Sequence, residues 1–334
     1  MLPAVSNILA DTAGPSITAI RLTLMLFVLV GGCLGGYISS NRFGVSEHLA
    51  KKIMTFTLCT FEWIIVLFVI WLLNLKVELV MLPVFGVILM SIITLFSAFF
   101  FRLTSMKEKS KITLILAGGI SNVGYTGGAF VCYGLFGLQA LGLAQLYLML
   151  WFPLVFIVFF PLLKIREIRT GDAAEKAAMY HLLDARMMVI PAALLAVTLN
   201  LTQVKFPSFI LRLHIIDILV FTSSFLTFFS IGLRFRLVRV RDYFRKYIPV
   251  LAIKFLVTPA IAFGLLFLVS VFSINLTGLV GSVIIIQSFS PCGVMMVTMS
   301  NVFNLDGPLA SAVWVASTVV YVALVVPILC LIFL

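Results

Sequence analysis

Two segments of the chain place residues that could bind a ligand inside long apolar runs. Residues 117–130 read AGGISNVGYTGGAF, and residues 287–293 read QSFSPCG. Glycine lets the backbone approach a ligand closely, and proline removes a backbone N–H donor. Irregular backbone within a membrane is tolerated only where protein or a water-filled cavity satisfies it. We therefore predict that both segments are breaks in membrane-spanning helices and that a site lies there.

The chemistry expected at such breaks is the binding of an anion, because the free N–H groups at a helix start carry partial positive charge. We expect the N–H groups near residues 124–126 and 292–293 to hold a carboxylate. The Asn122 side chain would satisfy backbone groups or donate to the ligand, and Ser288 is a secondary candidate. The predicted substrate-binding residues all lie in the two segments; they are Asn122, Gly124, Tyr125, Thr126, Gln287, Ser290, Pro291, Cys292 and Gly293.

The alternative interpretation of the two segments is helix packing through small residues. It accounts well for Gly31, Gly32, Gly35 and Gly36 in the first apolar run. It accounts less well for Asn122 beside Gly124, or for Pro291 in the middle of an apolar run.

The composition requires a lipid environment. Of 334 residues, 63% are hydrophobic and 10% are charged, whereas soluble domains are about 45–50% apolar and about 25% charged. The net charge of +11 comes from Lys and Arg residues in short loops, so we interpret it as a topology signal and expect no nucleic-acid partner. The sequence has no cysteine–histidine spacing typical of a metal site and no cofactor motif, and we expect neither a metal nor a cofactor.

Ten apolar runs are long enough to cross a bilayer, since a span needs about 20 residues. The predicted spans are 17–37, 53–73, 77–100, 112–135, 140–163, 187–203, 213–233, 247–272, 277–303 and 308–333. The segment 164–186 is predicted to be a cytoplasmic amphipathic linker.

The distribution of basic residues orients these spans. If the N-terminus is outside, the inside loops contain 18 of the 23 Lys and Arg residues, and the outside loops contain only Lys76, Lys205 and Arg212. This asymmetry predicts that both termini are outside. We expect an integral protein of the plasma or inner membrane, whose basic loops could also contact anionic lipids.

The chain also shows a weak internal repeat. The segment beginning Phe136-Gly-Leu-Gln-Ala-Leu is similar to the one beginning Phe303-Asn-Leu-Asp-Gly-Pro, and the offset of 167 residues is half the chain length. We therefore predict two inverted five-helix repeats, residues 1–163 and 187–334, with broken helices 4 and 9 at corresponding places.

Several segments, in this order and spacing, resemble the auxin efflux carrier family, which includes plant auxin exporters and bacterial dicarboxylate permeases and belongs to a superfamily with a bile acid/sodium symporter-like fold. The similar segments are Asn122-Val-Gly-Tyr-Thr-Gly-Gly, Val189-Ile-Pro-Ala-Ala-Leu-Leu-Ala, Ser230-Ile-Gly-Leu, Ile253-Lys-Phe-Leu-Val-Thr-Pro, Phe303-Asn-Leu-Asp-Gly-Pro-Leu-Ala-Ser and Val326-Pro327. Ala129 departs from the family pattern, which often has proline there.

The resemblance implies an all-α membrane fold of ten helices. Spans 1, 2, 6 and 7 would form a scaffold, and spans 3–5 and 8–10 would form a moving unit in which helices 4 and 9 cross at the membrane centre. It also implies alternating access of an elevator type, and a homodimer through the scaffold helices.

Two ionisable residues inside predicted spans require an explanation, because a charge there costs a few kcal/mol. Glu62 would be a proton-coupling carboxylate or a structural hydrogen-bond partner of another helix. Lys254, by its place in the resemblance, would neutralise the carbonyl ends of the broken helices and take the place of a sodium ion; the alternative is a lysine that snorkels. Arg21 is expected to snorkel, and Asp306 is expected to cap the last helix.

We expect a secondary transporter of a small organic anion, such as an auxin-like compound or a mono- or dicarboxylate. The alternative is a membrane sensor that binds a small carboxylate without flux. An intramembrane enzyme would need a convergent nucleophile or metal set, which the sequence lacks. A passive channel would not need two broken helices in inverted halves.

Overall fold

The computed structural model describes residues 15–43, 47–155, 188–234, 240–272 and 278–333, together with residues 159, 163 and 276. Within these ranges the chain is helical, with no β-strand and one isolated β-bridge. The predicted amphipathic linker, residues 164–186, lies outside the described residues. Because its described ranges contain helices and no strand, the protein has an all-α fold.

Seven helices in the described part of the chain are long and apolar enough to cross a membrane. They are Ile17–Phe43, Lys52–Trp71, Glu78–Arg102, Gly128–Leu148, Ile215–Leu233, Phe244–Val271 and Gly307–Phe333. Two further apolar helices, Val189–Leu201 and Leu279–Ser288, are shorter. These helices make the chain an integral membrane protein, and the arrangement of ten spans in two repeats stays a prediction.

The difference between the seven long helices of the structure and the ten predicted spans has local causes in the chain. The predicted fourth and ninth spans are interrupted, so neither forms one continuous long helix. Gly128–Leu148 joins the end of the fourth predicted span to the start of the fifth, and Gly137 breaks it with φ 73°. A left-handed backbone at this point favours glycine, and it separates two helical segments within one apolar run.

The described residues form two compact units. The first contains residues 15–79, 124–146 and 188–234. Its helices are α1 (Pro15–Phe43), α2 (Glu47–Thr57), α3 (Trp63–Trp71), the 128–146 part of α6 (Gly128–Leu148), α8 (Val189–Leu201), α9 (Ser208–Arg212) and α10 (Ile215–Arg234). A π-helical turn, Leu58–Glu62, joins α2 to α3.

Close packing of α1 against α10 is the main contact of the first unit, and glycines permit it. A Cβ atom at Gly36 would lie 2.8 Å from the backbone nitrogen of Leu233, and one at Gly32 would lie 2.8 Å from the Cβ of Phe228. On α10, a Cβ atom at Gly232 would lie 3.0 Å from the backbone nitrogen of Tyr37. The packing interpretation is thereby confirmed for Gly32 and Gly36. At Gly31 and Gly35 an added Cβ would make only ordinary contacts, 4.0 Å from the Phe27 ring and 3.6 Å from the Phe229 ring.

The second unit contains residues 80–123, 147–155 and 240–333, within the described ranges. Its helices are α4 (Met81–Arg102), α5 (Glu108–Gly119), α7 (Trp151–Leu154), α11 (Phe244–Ala252), α12 (Thr258–Val271), α13 (Leu279–Ser288), α14 (Val294–Val302), α15 (Gly307–Val320) and α16 (Val326–Phe333). π-helical turns join α11 to α12 at Ile253–Val257, and α15 to α16 at Tyr321–Val325.

Candidate anion site

The first break interrupts the predicted fourth span between α5 and α6. Helix α5 ends at Gly119, and Ile120 has extended backbone with φ −89° and ψ 110°. Residues 120–127 are not helical, and the chain resumes a helix at Gly128. Glycine is a weak helix former, so the glycine-rich segment separates the two helices as predicted.

The second break interrupts the predicted ninth span between α13 and α14. Helix α13 ends at Ser288 and α14 begins at Val294, after Gly293 with φ −75° and ψ 142°. Pro291 lies in the gap and has no N–H to continue the helix. The proline thus marks the break that the sequence predicted.

The two breaks pair with each other. The Asn122 N–H donates to the Pro291 carbonyl at 2.7 Å, and the Gly293 N–H donates to the Ile120 carbonyl at 2.9 Å. These bonds flank an antiparallel bridge between Ser121 and Cys292. Each break therefore satisfies backbone groups that the other leaves free, which is how irregular backbone survives without water.

This pairing corrects the expected role of two backbone groups. We expected the N–H groups of Cys292 and Gly293 to hold a carboxylate. Instead the Gly293 N–H donates to Ile120, and the Cys292 N–H donates to the Ser317 hydroxyl at 3.2 Å. The Cys292 thiol donates to the Ala117 carbonyl at 3.3 Å. The N–H groups of both residues are therefore used within the protein and are not available to a carboxylate.

The three remaining predicted residues of the first segment belong to the first compact unit. The Gly124 carbonyl accepts a bond from the Gly127 N–H at 3.0 Å, which closes a turn that includes Thr126. Tyr125 is buried, and its carbonyl accepts a bond from the Ser224 hydroxyl at 3.5 Å. A Cβ atom at Gly124 would meet nothing within 4 Å. Packing therefore does not explain why residue 124 is glycine.

Lys254 is the one predicted charge that lies beside the paired breaks. It is in the π-helical turn between α11 and α12, and its side chain is 0% exposed. The ammonium donates to the Ser121 hydroxyl at 2.7 Å. Within the described residues no carboxylate forms an ion pair with it. We expected Lys254 to neutralise backbone carbonyls, but its hydrogen bond goes to a side chain of the first break.

A cavity in the second unit opens beside the paired breaks. It is narrow and partly open to the outside, with a volume of about 20 Å³ that a water-sized molecule can occupy. Its polar lining comes from both sides of the crossing, with Ser121 on the first break and Gln287 and Ser288 at the end of α13. Thr258, Tyr147 and Trp151 also line it, and the rest of the wall is apolar or glycine. The predicted residue Gln287 therefore lines a real cavity, as does Ser288.

Gln287 brings unused hydrogen-bonding capacity to this cavity. Its side chain is 1% exposed, and its carbonyl oxygen accepts a bond from the Ser290 hydroxyl at 3.5 Å. Its Nε2 group has no hydrogen-bond partner among the residues that the structure describes. A buried amide nitrogen without a partner costs free energy, so a ligand that accepts its hydrogen bond would be favoured.

Glu62 belongs to the first compact unit. It is the last residue of the π-helical turn Leu58–Glu62, and its side chain is half-buried. π-Helical turns within α-helices often occur at functional sites. The structure leaves both interpretations of Glu62 open, the coupling carboxylate and the structural hydrogen bond.

Arg21 corrects another expectation. It does not snorkel, because its side chain is only 7% exposed. Its guanidinium carbon lies 5.7 Å from the centre of the Tyr133 ring, and the Tyr133 hydroxyl donates to Asp217. Asp217 also contacts His214, at 2.9 Å between Oδ2 and Nδ1. The buried arginine is held by a polar cluster of the first unit.

Sequence reasoning missed Ser121 and Ser317. Ser121 lies inside the segment that was singled out, but a serine in a glycine-rich stretch gives no sign that it accepts a bond from a lysine 133 residues later in the chain. Ser317 lies in an ordinary apolar helix. By contrast, the Asp306 side chain accepts a bond from the Leu309 N–H at 3.2 Å, which confirms the predicted helix cap.

Comparisons with known proteins leave the family open. No family model matches the sequence, and no curated protein matches it.

Proposed function

We propose that the protein is a secondary transporter of a small organic anion, which binds where the two helix breaks pair. The observation that carries this proposal is the buried Lys254 beside the crossing, without an acidic partner among the described residues. A lysine ammonium within a membrane costs about 2.5–3.5 kcal/mol on insertion scales. An anionic substrate in the adjoining cavity would offset that cost and would be selected by it.

The transporter interpretation is supported by the position of the breaks in the chain. Broken helices at corresponding places in two repeats are typical of substrate sites in secondary transporters. The first halves of the two broken spans end at Gly119 and Ser288, and the second halves begin at Gly128 and Val294. The spacings are 169 residues (288 minus 119) and 166 residues (294 minus 128), close to the 167 of the sequence repeat.

A third correspondence supports the same repeat. Residues 155 and 159 are π-helical, and the turn Tyr321–Val325 is π-helical too. Their spacing is again 166 residues (321 minus 155). Ten spans in two inverted five-helix repeats, with both termini outside a plasma or inner membrane, remain the architecture that we propose.

The mechanism that we propose is alternating access between two bodies. The division of the described residues into two compact units supports this proposal. Their composition differs in one respect from the expected scaffold and moving unit, because residues 124–146 belong to the first unit whereas all of spans 3–5 were expected to move. A homodimer through scaffold helices remains part of the proposal by resemblance alone.

Measuring flux and binding separately tests the proposal. Purified protein in liposomes is assayed for uptake of radiolabelled acetate, benzoate, malonate, succinate and indole-3-acetate, with and without proton and sodium gradients. We expect saturable uptake of at least one anion that does not depend on sodium, because Lys254 already supplies a fixed cation. Binding without uptake in either direction would replace the transporter with the sensor. Sodium-dependent uptake would contradict the role given to Lys254.

A further inference from the structure

The cavity beside the paired breaks is lined by two side chains of the crossing segments whose donor hydrogens meet no acceptor among the described residues. Ser121 and Gln287 both line it. The Nε2 group of Gln287 has no partner in the described part of the chain. The Ser121 oxygen accepts the Lys254 bond at 2.7 Å, and its own hydrogen meets no acceptor among the described residues.

The bond from Lys254 determines what Ser121 can do. A lysine ammonium has three donors and no acceptor, and a serine hydroxyl has one donor and two lone pairs. Since Ser121 accepts from Lys254, its hydrogen must point away from the ammonium. An adjacent positive charge also makes the hydroxyl a stronger donor, because chains of hydrogen bonds polarise one another. Lys254 itself does not line the cavity.

The other hydroxyls of the lining are less suited to donate. The Thr258 hydroxyl donates to the Ile253 carbonyl at 2.7 Å, and the Ser288 hydroxyl donates to the Ile285 carbonyl at 2.6 Å. Tyr147 has a hydroxyl with no bond among the described residues, but its ring lies in the wall beside Gly86. Ser121 and Gln287 are the donors that come from the two crossing segments.

We propose that Ser121 and Gln287 together hold the carboxylate of a monovalent substrate, and that Lys254 is a positioning residue that acts through Ser121. A carboxylate has two oxygens and accepts one bond from each donor. Lys254 compensates one negative charge, so a second carboxylate would lie in the cavity without a counter-charge among the described residues. This inference rests on the proposed anion site and narrows its substrate class to monocarboxylates.

Binding to purified, full-length protein tests the inference. The probes are radiolabelled acetate, benzoate and indole-3-acetate as monoanions, malonate and succinate as dianions, and benzamide as the neutral counterpart of benzoate. We expect at least one monoanion to bind at least about tenfold more tightly than either dianion. A tenfold difference in affinity corresponds to about 1.4 kcal/mol of binding free energy. Dianions that bind as tightly as every monoanion, or a wild-type protein that binds no monoanion, would overturn the inference.

Variants separate the roles of the three side chains. Ser121→Ala and Gln287→Leu are each expected to weaken monoanion binding by about tenfold or more, the loss typical of a hydrogen bond to a charged group. Ser121→Thr keeps the hydroxyl and should retain most of the affinity. Ser300→Ala is the matched control, since it removes a buried hydroxyl of the same unit that does not line the cavity. Normal binding by Ser121→Ala, or loss in Tyr147→Phe alone, would refute the pair.

Lys254→Met tests whether the lysine acts through the serine. We expect it to weaken benzoate binding more than benzamide binding, whereas a merely structural role would weaken both equally. In the double variant with Ser121→Ala, the loss should be no greater than in Ser121→Ala alone. Independent, additive losses would contradict the relay. If Lys254→Met does not fold, benzoate and benzamide binding are compared in Ser121→Ala and Ser121→Thr. A loss in Ser121→Ala that is equal for both ligands would then contradict the relay.

The outcomes for binding and transport are distinct. Uptake of a dicarboxylate that needs neither Ser121 nor Gln287 would leave the transporter proposal intact and remove this inference. Monocarboxylate binding with the expected variant pattern, but no flux in liposomes, would keep this inference and remove the transporter.

Discussion

At the scale of single residues, the proposed anion site rests on Lys254. Its ammonium is buried, bonded to Ser121 and without an acidic partner in the described part of the chain. A buried charged residue of this kind is costly in a membrane, and such residues usually have a function. The sequence identified Lys254 because a lysine inside an apolar run is conspicuous. It could not identify Ser121 as its partner, because only the crossing of the two breaks brings them together.

Glu62 is the residue whose role is best tested by a conservative change. Glu62→Gln keeps the shape and most of the hydrogen bonding of the side chain but removes its proton-binding carboxylate. If Glu62 couples transport to protons, uptake by the variant should continue and should no longer respond to an imposed pH gradient. Uptake in liposomes with and without that gradient is the measurement.

The structural alternative for Glu62 gives a different result. A Glu62→Gln variant whose uptake still follows the pH gradient as the wild type does would assign Glu62 a hydrogen-bonding role only. Glu62→Leu then serves as the comparison, since it also removes the hydrogen bond. A lower melting temperature for Glu62→Leu than for Glu62→Gln would be expected in that case.

At the scale of elements, the sequence predicted the positions of the helix breaks. It did not predict which hydrogen bonds satisfy the backbone at the broken ends. Five glycines, and Pro291, were sufficient to locate the breaks. The antiparallel pairing, in which Asn122 bonds Pro291 and Gly293 bonds Ile120, joins residues far apart in the chain and leaves no local signature. The π-helical turns that contain Glu62 and Lys254 were also not predictable, since they continue ordinary apolar runs.

The contact between α1 and α10 gives a test of helix packing. Gly36→Ala adds a Cβ atom that would lie 2.8 Å from the Leu233 nitrogen and would overlap the α10 backbone. We expect this to destabilise the protein by about 1–3 kcal/mol, as overpacking does. Thermal unfolding of purified protein in detergent measures the effect.

Gly35→Ala is the matched control on the same helix. Its added Cβ would lie 3.6 Å from the Phe229 ring, which is an ordinary contact. Alanine also favours a helix over glycine, so the melting temperature should be unchanged or slightly higher. Equal destabilisation by both substitutions would show that close approach of α10 is not the reason for Gly36.

At the scale of the whole molecule, composition predicted an integral, all-α membrane protein, and the helices bear this out. The number of spans is harder to derive, because interrupted spans do not appear as single long helices and part of the chain lies outside the described residues. The two compact units depend on packing between distant segments. Residues 124–146 join the first unit, which the grouping of whole spans did not anticipate.

The orientation in the membrane can be tested by labelling. The asymmetry of basic residues predicts that Lys107 is inside and Lys205 is outside. In intact cells, Lys205→Cys should react with a membrane-impermeant maleimide, and Lys107→Cys should react only after the membrane is permeabilised. The unsubstituted protein, with its native cysteines, gives the background. The reverse pattern would invert the proposed topology.

The most direct test of the central claim is a comparison of substrate uptake by wild-type protein, Asn122→Ala and Pro291→Ala in liposomes that contain equal amounts of folded protein. Pro291→Ala restores an N–H group and permits the helix to continue through the break, and Asn122→Ala changes the side chain of the opposite break. If the paired breaks form the transport site, both variants should lose at least about tenfold in uptake rate, the effect of about 1.4 kcal/mol. Uptake at the wild-type rate by both variants would contradict the account.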